Sequence, residues 1–166
     1  LFTWGSYRRI SADFAFMESR DQKAKLDDRR QAIGRAINTY PWSDVYFRTF
    51  GALQLTKFQE TFQSQKDSEE RTTQLRLLAR DIIIASREAT RLNPVSAANW
   101  QTLAGIYQQL VPFVEGSEDE AIKSLEQLRL LEPNNPTHAT DLASIYVTRA
   151  DREASLGEKA DKKKVS

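Results

Sequence analysis

The residues from Pro94 to Tyr146 repeat themselves, and a chain that repeats a short helical pattern buries its apolar face by stacking one copy on the next. Leu103, Ala104 and Tyr107 recur as Leu142, Ala143 and Tyr146, and Pro94 recurs as Pro133. Between the two copies lies a segment with Ala121, Leu125 and Leu128 at helical spacing. The pattern also restarts after Pro41, where Phe47, Phe50 and Gly51 stand at the spacing of Trp100, Leu103 and Ala104.

These residues resemble the tetratricopeptide repeat, a helix–turn–helix unit of about 34 residues. Trp100, Leu103, Ala104 and Tyr107 fall on that family's first-helix signature, with Ala where Gly is commoner. Ala121, Leu125 and Pro133 fall on second-helix positions, while Leu128 stands where a second Ala is usual. The resemblance implies an all-α, right-handed superhelix of about seven helices in three and a half hairpins, one of them elongated. It further implies that Phe47, Phe50, Gly51, Trp100, Leu103, Ala104, Tyr107, Ala121, Leu142, Ala143 and Tyr146 are packing residues. One domain is expected over 1–157, with hairpins at 3–40, 43–92 and 96–132 and a last helix at 136–157. Residues 158–166, with Lys162, Lys163 and Lys164, read as a disordered basic tail.

Local signals set the element ends. Trp4, Tyr7, Ile10, Phe14 and Met17 recur three or four apart and predict a helix whose apolar face is covered. Tyr40-Pro41 breaks the following helix, because proline cannot extend a helix and drives its predecessor to extended backbone. Ser43 is placed to cap the next helix, Asp67 with Glu70 and Ser117 with Glu120 have capping-box spacing, and Asn135-Pro136 is a cap followed by a first-turn proline. Gly51 is expected where two helices approach closely. Pro41 and Pro94 are 53 residues apart, about 19 more than one unit, which lengthens both helices of that hairpin into a projection. Pro94 and Pro133 are 39 apart, an excess of about five located around 111–116.

The chemistry available is narrow. A net charge of +1 over 166 residues gives no field that would gather nucleic acid, and the basic residues Arg20 to Arg35 are interspersed with Asp21, Asp27 and Asp28. The chain has no Cys, so thiolate catalysis and Cys-based zinc sites are excluded. His138 is the single histidine; it reads as a surface or interface residue in a first helical turn. No nucleophile elbow, phosphate-binding glycine loop or paired-histidine motif occurs. Glu115, Glu118, Asp119 and Glu120 read as charges favoured by a helix N-terminus. The sequence therefore predicts no catalytic residue, cofactor or metal.

What remains is a surface. In the family resembled, the first helices line a concave groove, and the corresponding positions here include Arg48, Thr49, Ala52, Gln101, Thr102, Gln108, Gln109, Asp141 and Ser144. That groove is mostly neutral and lacks the Lys, Arg and Asn pattern with which family members clamp a chaperone-tail carboxylate. The leading expectation is a non-enzymatic scaffold for a peptide or protein partner, with self-association through the elongated hairpin as a further use. The alternative is the extracytoplasmic tail of a bacterial membrane protein. The stretch R-A-I-N-T-Y-P-W-S-D-V-Y-F-R is similar to repeat-bearing tails of O-antigen ligase or polymerase-like proteins, whose catalysis would lie upstream of Leu1. The apolar opening Leu1-Phe2-Thr3-Trp4-Gly5 before Arg8 and Arg9 is compatible with the end of a membrane tether, and equally with the first turn of an amphipathic helix.

Overall fold

The three proline junctions build the same backbone shape three times. The computed structural model describes residues 4–64 and 68–165, with side chains given over 5–64 and 68–154. Helix α1 spans Trp4–Ser19, α2 Leu26–Thr39, α3 Asp44–Gln63, α4 Glu69–Leu92, α5 Ala97–Leu110, α6 Ser117–Leu131 and α7 Pro136–Val165. Tyr40, Asn93 and Glu132, each directly before a proline, close α2, α4 and α6. All three have extended φ values of −144°, −141° and −128°, and all three donate their N–H to the carbonyl four residues back. The proline forces this by excluding the helical region from its predecessor.

The repeated backbone carries a repeated polar anchor. Five residues after each proline stand Tyr46, Asn99 and His138, all buried at 3% exposure or less. Tyr46 donates its hydroxyl to Asp13 of α1. Asn99 donates to the Asp44 carboxylate at 2.9 Å and to the Ala89 carbonyl at 3.0 Å, and accepts from Arg48 at 3.0 Å, so it joins α3, α4 and α5. His138 pairs with Glu132 at 2.7 Å. Buried polar groups hold their position only when partnered, so each of these residues fixes how one first helix sits on the unit before it.

The helices pair as antiparallel hairpins α1–α2, α3–α4 and α5–α6, and each first helix packs on the second helix of the preceding hairpin. The result is an all-α superhelix with no strand among the described residues. Ile33, Ala36, Tyr46 and Leu53 fill the first interface, Phe58, Ile82, Ile106 and Leu110 the second, and Ala104, Leu125, Leu128 and Leu142 the third. In α3 a Cβ on Gly51 would lie 2.9 Å from Ser86 Oγ and 3.7 Å from the Ile82 carbonyl, so glycine sets the spacing of α3 against α4.

Several expectations are corrected. Tyr7, Ile10, Phe14 and Met17 lie on the exposed side of α1, with Phe14 65% exposed; Ala12, Phe16 and Ser19 face the neighbouring helices instead. The apolar periodicity marked a face that no described helix covers. Ala143 and Tyr146 are also exposed, Tyr146 at 49%, because α7 packs on α6 and no described helix lies on its other side. Asp67 lies outside the described residues, and α4 is capped by Ser68, whose Oγ accepts from the Arg71 N–H at 3.1 Å. Ser43 holds the cap position of α3 without a side-chain bond. Gly116, at φ 77°, takes the cap of α6 in place of Ser117, a backbone state that glycine adopts at little cost. Asn135 does cap α7, accepting from the Thr137 N–H at 3.1 Å. Helix α7 runs to Val165, past residue 157, through a segment of Glu, Lys and Ala with high helix propensity. Of the two settings expected for His138, surface or interface, the structure gives the interface, with the side chain buried.

The two insertions meet. Helices α3 and α4 have 20 and 24 residues against 14 and 15 in α5 and α6, so the second hairpin reaches beyond the third. The 111–116 loop fills the space beside that extension. Phe113 stacks edge-on against Phe58 and Phe62, with ring centroids 5.2 Å and 4.9 Å away. The projection is thus propped by the next unit's own extra residues.

Candidate functional site

First helices α3, α5 and α7 form one face of the superhelix, and it is polar because the apolar side of each helix is spent on the stack. Helices α3 and α5 touch along this face, whereas α5 and α7 stand further apart. Between α5 and α7 opens a cleft of about 560 Å³. Gln108 lines it from α5, and Asp141, Ser144 and Thr148 line it from α7. Val111, Pro112 and Ile145 supply apolar surface, and the ion pair of Glu118 with Arg152 also lines the cleft.

The nine groove residues expected from sequence divide into groups. Gln108, Asp141 and Ser144 come together at the cleft. Gln101 and Ala52 are exposed on the same helices without lining it, and Thr49 and Thr102 are half-buried. Gln109 is committed elsewhere: it accepts from Gln59 at 2.7 Å, a side-chain bridge between α3 and α5. Arg48 is held by Asn99, which removes the one cation among these nine from the groove's free inventory. Thr102 and Thr148 donate their hydroxyls to their own helices, at Ala98 and Ser144, which leaves their oxygens able to accept. The side chains of Gln101, Gln108, Asp141 and Ser144 have no hydrogen-bond partner among the described residues.

The acidic group at the start of α6 is structural. Glu118 pairs with Arg152, Asp119 with Arg149 at 2.8 Å, and Glu120 with Lys123 at 2.7 Å and Arg87 at 3.0 Å. These contacts tie α6 to α7 and to α4. The Lys123 ammonium, opposed by a partial burial cost and helped by Arg87, holds the Glu120 carboxyl below its ordinary value. Arg87 also donates to the Tyr107 hydroxyl at 2.7 Å, and burial pushes that phenol upward.

Thr148 joins the cleft from the same repeat register as Asp141 and Ser144, Val111 and Pro112 enter it as part of the 111–116 excess, and Arg152 is the cleft residue that no sequence signal marks. The excess at 111–116 was a signal because extra chain beside a groove has to go somewhere.

No family model matches the sequence, and comparison with curated proteins returns no match. Solved structures do share its shape. The first TPR domain of Spaghetti (RPAP3), bound to the HSP90 peptide SRMEEVD, is 14% identical with a TM-score of 0.62, covering 86% of this chain and 98% of that one. The Arabidopsis OM64 TPR domain is 11% identical with a TM-score of 0.61, covering 83% and 96%. The MamA structure is 14% identical with a TM-score of 0.63, covering 100% and 99%. These likenesses lend no support to the membrane-enzyme tail, and among the described residues no helix is long and apolar enough to cross a membrane. Three proline-closed hairpin ends, stacked first helices and these likenesses together give the chain the superhelical fold of tetratricopeptide-repeat domains.

Proposed function

We propose that this domain is a non-enzymatic scaffold that holds an extended segment of a partner protein on the α3–α5–α7 face, anchored in the cleft between α5 and α7. The observation that carries the reading is a row of unspent amide, carboxylate and hydroxyl groups, Gln101, Gln108, Asp141 and Ser144, beside a cleft with an apolar floor. Amides both donate and accept, so two glutamines one helical turn apart or more suit a peptide backbone, while the floor of Ile145 and Pro112 suits one apolar side chain. The RPAP3 domain of the same fold was solved with a peptide, which supports peptide holding as a use of this shape. No cation is left free there: Arg48 is tied to Asn99 and Arg152 is paired with Glu118, while Asp141 adds an unpaired negative group, so a neutral or basic segment fits better than an acidic one.

The test is selection of binders from a random peptide display library on the wild-type domain and on the Gln108→Ala/Asp141→Ala variant. Selected peptides should lose binding by about tenfold or more on the variant, the change expected from removing about two polar contacts. Peptides that bind both proteins equally, or a library that yields no binders, would refute the reading.

A further inference from the structure

We propose that the outer side of α4 is a second docking site, built by the two insertions and suited to an acidic amphipathic helix of a partner protein. The site is a cleft of about 460 Å³ between α4 and the 111–116 loop. Phe58, Leu75, Ala79 and Ile83 form its wall. Its edges are Ile84, 58% exposed, and Phe113, 44% exposed, both large apolar side chains left in water. Neither insertion alone makes it: the lengthened α4 supplies one side and the extra loop residues Phe113 and Val114 the other.

Charge selects the occupant. Arg76 and Arg80 lie along the cleft one helical turn apart, and no Asp or Glu lines it. Arg80 reaches only its chain neighbour Asp81, at 3.3 Å on the surface, and Arg76 has no partner among the described residues. The lining runs along α4 from Thr72 to Ile84, about 18 Å of helix. The arginines stand midway along that length, not at one end. A helix that presents carboxylates turn after turn beside apolar anchors can satisfy both arginines while burying its stripe. An amphiphile with one terminal charge would have its head at an end of the cleft, where neither arginine stands. This site is on the face of the second helices, separate from the α3–α5–α7 groove, so the domain would hold two protein segments at once.

The experiment is selection from a display library of helical peptides, with binders then measured by fluorescence anisotropy. Three proteins are compared: wild type, Arg76→Glu/Arg80→Glu, and Gln108→Ala/Asp141→Ala, all substituted away from the core. The proposal expects a class of peptides with large apolar residues three or four apart flanked by Asp or Glu. Their affinity should fall by about tenfold or more on the arginine variant and with added salt, and stay unchanged on the groove variant. Ile84→Glu should abolish the same class. Selected peptides that ignore the arginine variant, or no peptides of this class, would overturn the proposal. So would dodecanoate below its micelle concentration binding the cleft when no peptide does, which would assign it to an amphiphile. Failure here leaves the groove result untouched, because that reading is scored on the other variant.

Discussion

Helices α5 and α7 carry the same signature and meet different fates. In α5, Leu103, Ala104 and Tyr107 are 4%, 1% and 2% exposed, enclosed between α4 and α6. In α7, Leu142 is buried against α6, while Ala143 is exposed and Tyr146 is 49% exposed. The letters specify which side of a helix is ready to pack. Burial comes from a neighbour, and α7 has one on only one side among the described residues. The polar position transfers better than the apolar ones: Asn99 and His138 are both buried because both face back onto the preceding hairpin end, which exists in each case.

The largest expected effect comes from exchanging the two tyrosines in thought. Tyr107→Ala should lower unfolding free energy by about 3–5 kcal/mol, through an enclosed cavity and a lost Arg87 partner, whereas Tyr146→Ala should cost under about 1 kcal/mol. Equal losses in denaturant unfolding would break the comparison. Next is Asn99→Ala, which strips partners from Asp44 and Arg48 and should cost about 2–3 kcal/mol. His138→Ala, whose partner Glu132 remains in water, should cost about 1 kcal/mol by the same measurement.

The glycines sharpen the point further. Gly51→Ala places a methyl 2.9 Å from Ser86 Oγ and should destabilise by about 1 kcal/mol even after its gain in helix propensity. A Cβ at Gly105 meets nothing within 4 Å, so Gly105→Ala should stabilise by about 0.5–1 kcal/mol. The smallest effect is electrostatic. Glu120 titrates below its ordinary 4.5 when folded, so its contribution is present above pH 4.5 and is lost as pH falls through the lowered folded value. Because the pair is partly solvated it is worth under about 1 kcal/mol, and Glu120→Gln should flatten the acid limb of a stability–pH curve by that amount.

The fold was legible because proline acts locally: Pro41, Pro94 and Pro133 impose the same extended residue before them whatever surrounds it. Gly51 was legible for a related reason, since a close helix approach requires the smallest side chain. The stripe Tyr7, Ile10, Phe14, Met17 misled because periodicity reports amphipathicity and cannot report what covers it. Ser117 misled because Gly116, which can take a positive φ, competes for the same cap. The site was half legible. Gln108, Asp141 and Ser144 follow from repeat register, but the engagement of Arg48 by Asn99 and the reach of Phe113 onto Phe58 depend on distances between units that no single unit encodes.

The central claim is that the chain works by offering the polar α3–α5–α7 face to an extended segment. Amide chemical-shift mapping with a peptide selected on the wild-type domain tests it directly. Perturbations concentrated at Gln101, Gln108, Asp141 and Ser144, and absent from the exposed stripe of α1, are the expected result. Perturbations confined to α1, or to α4 alone for every selected peptide, would contradict it.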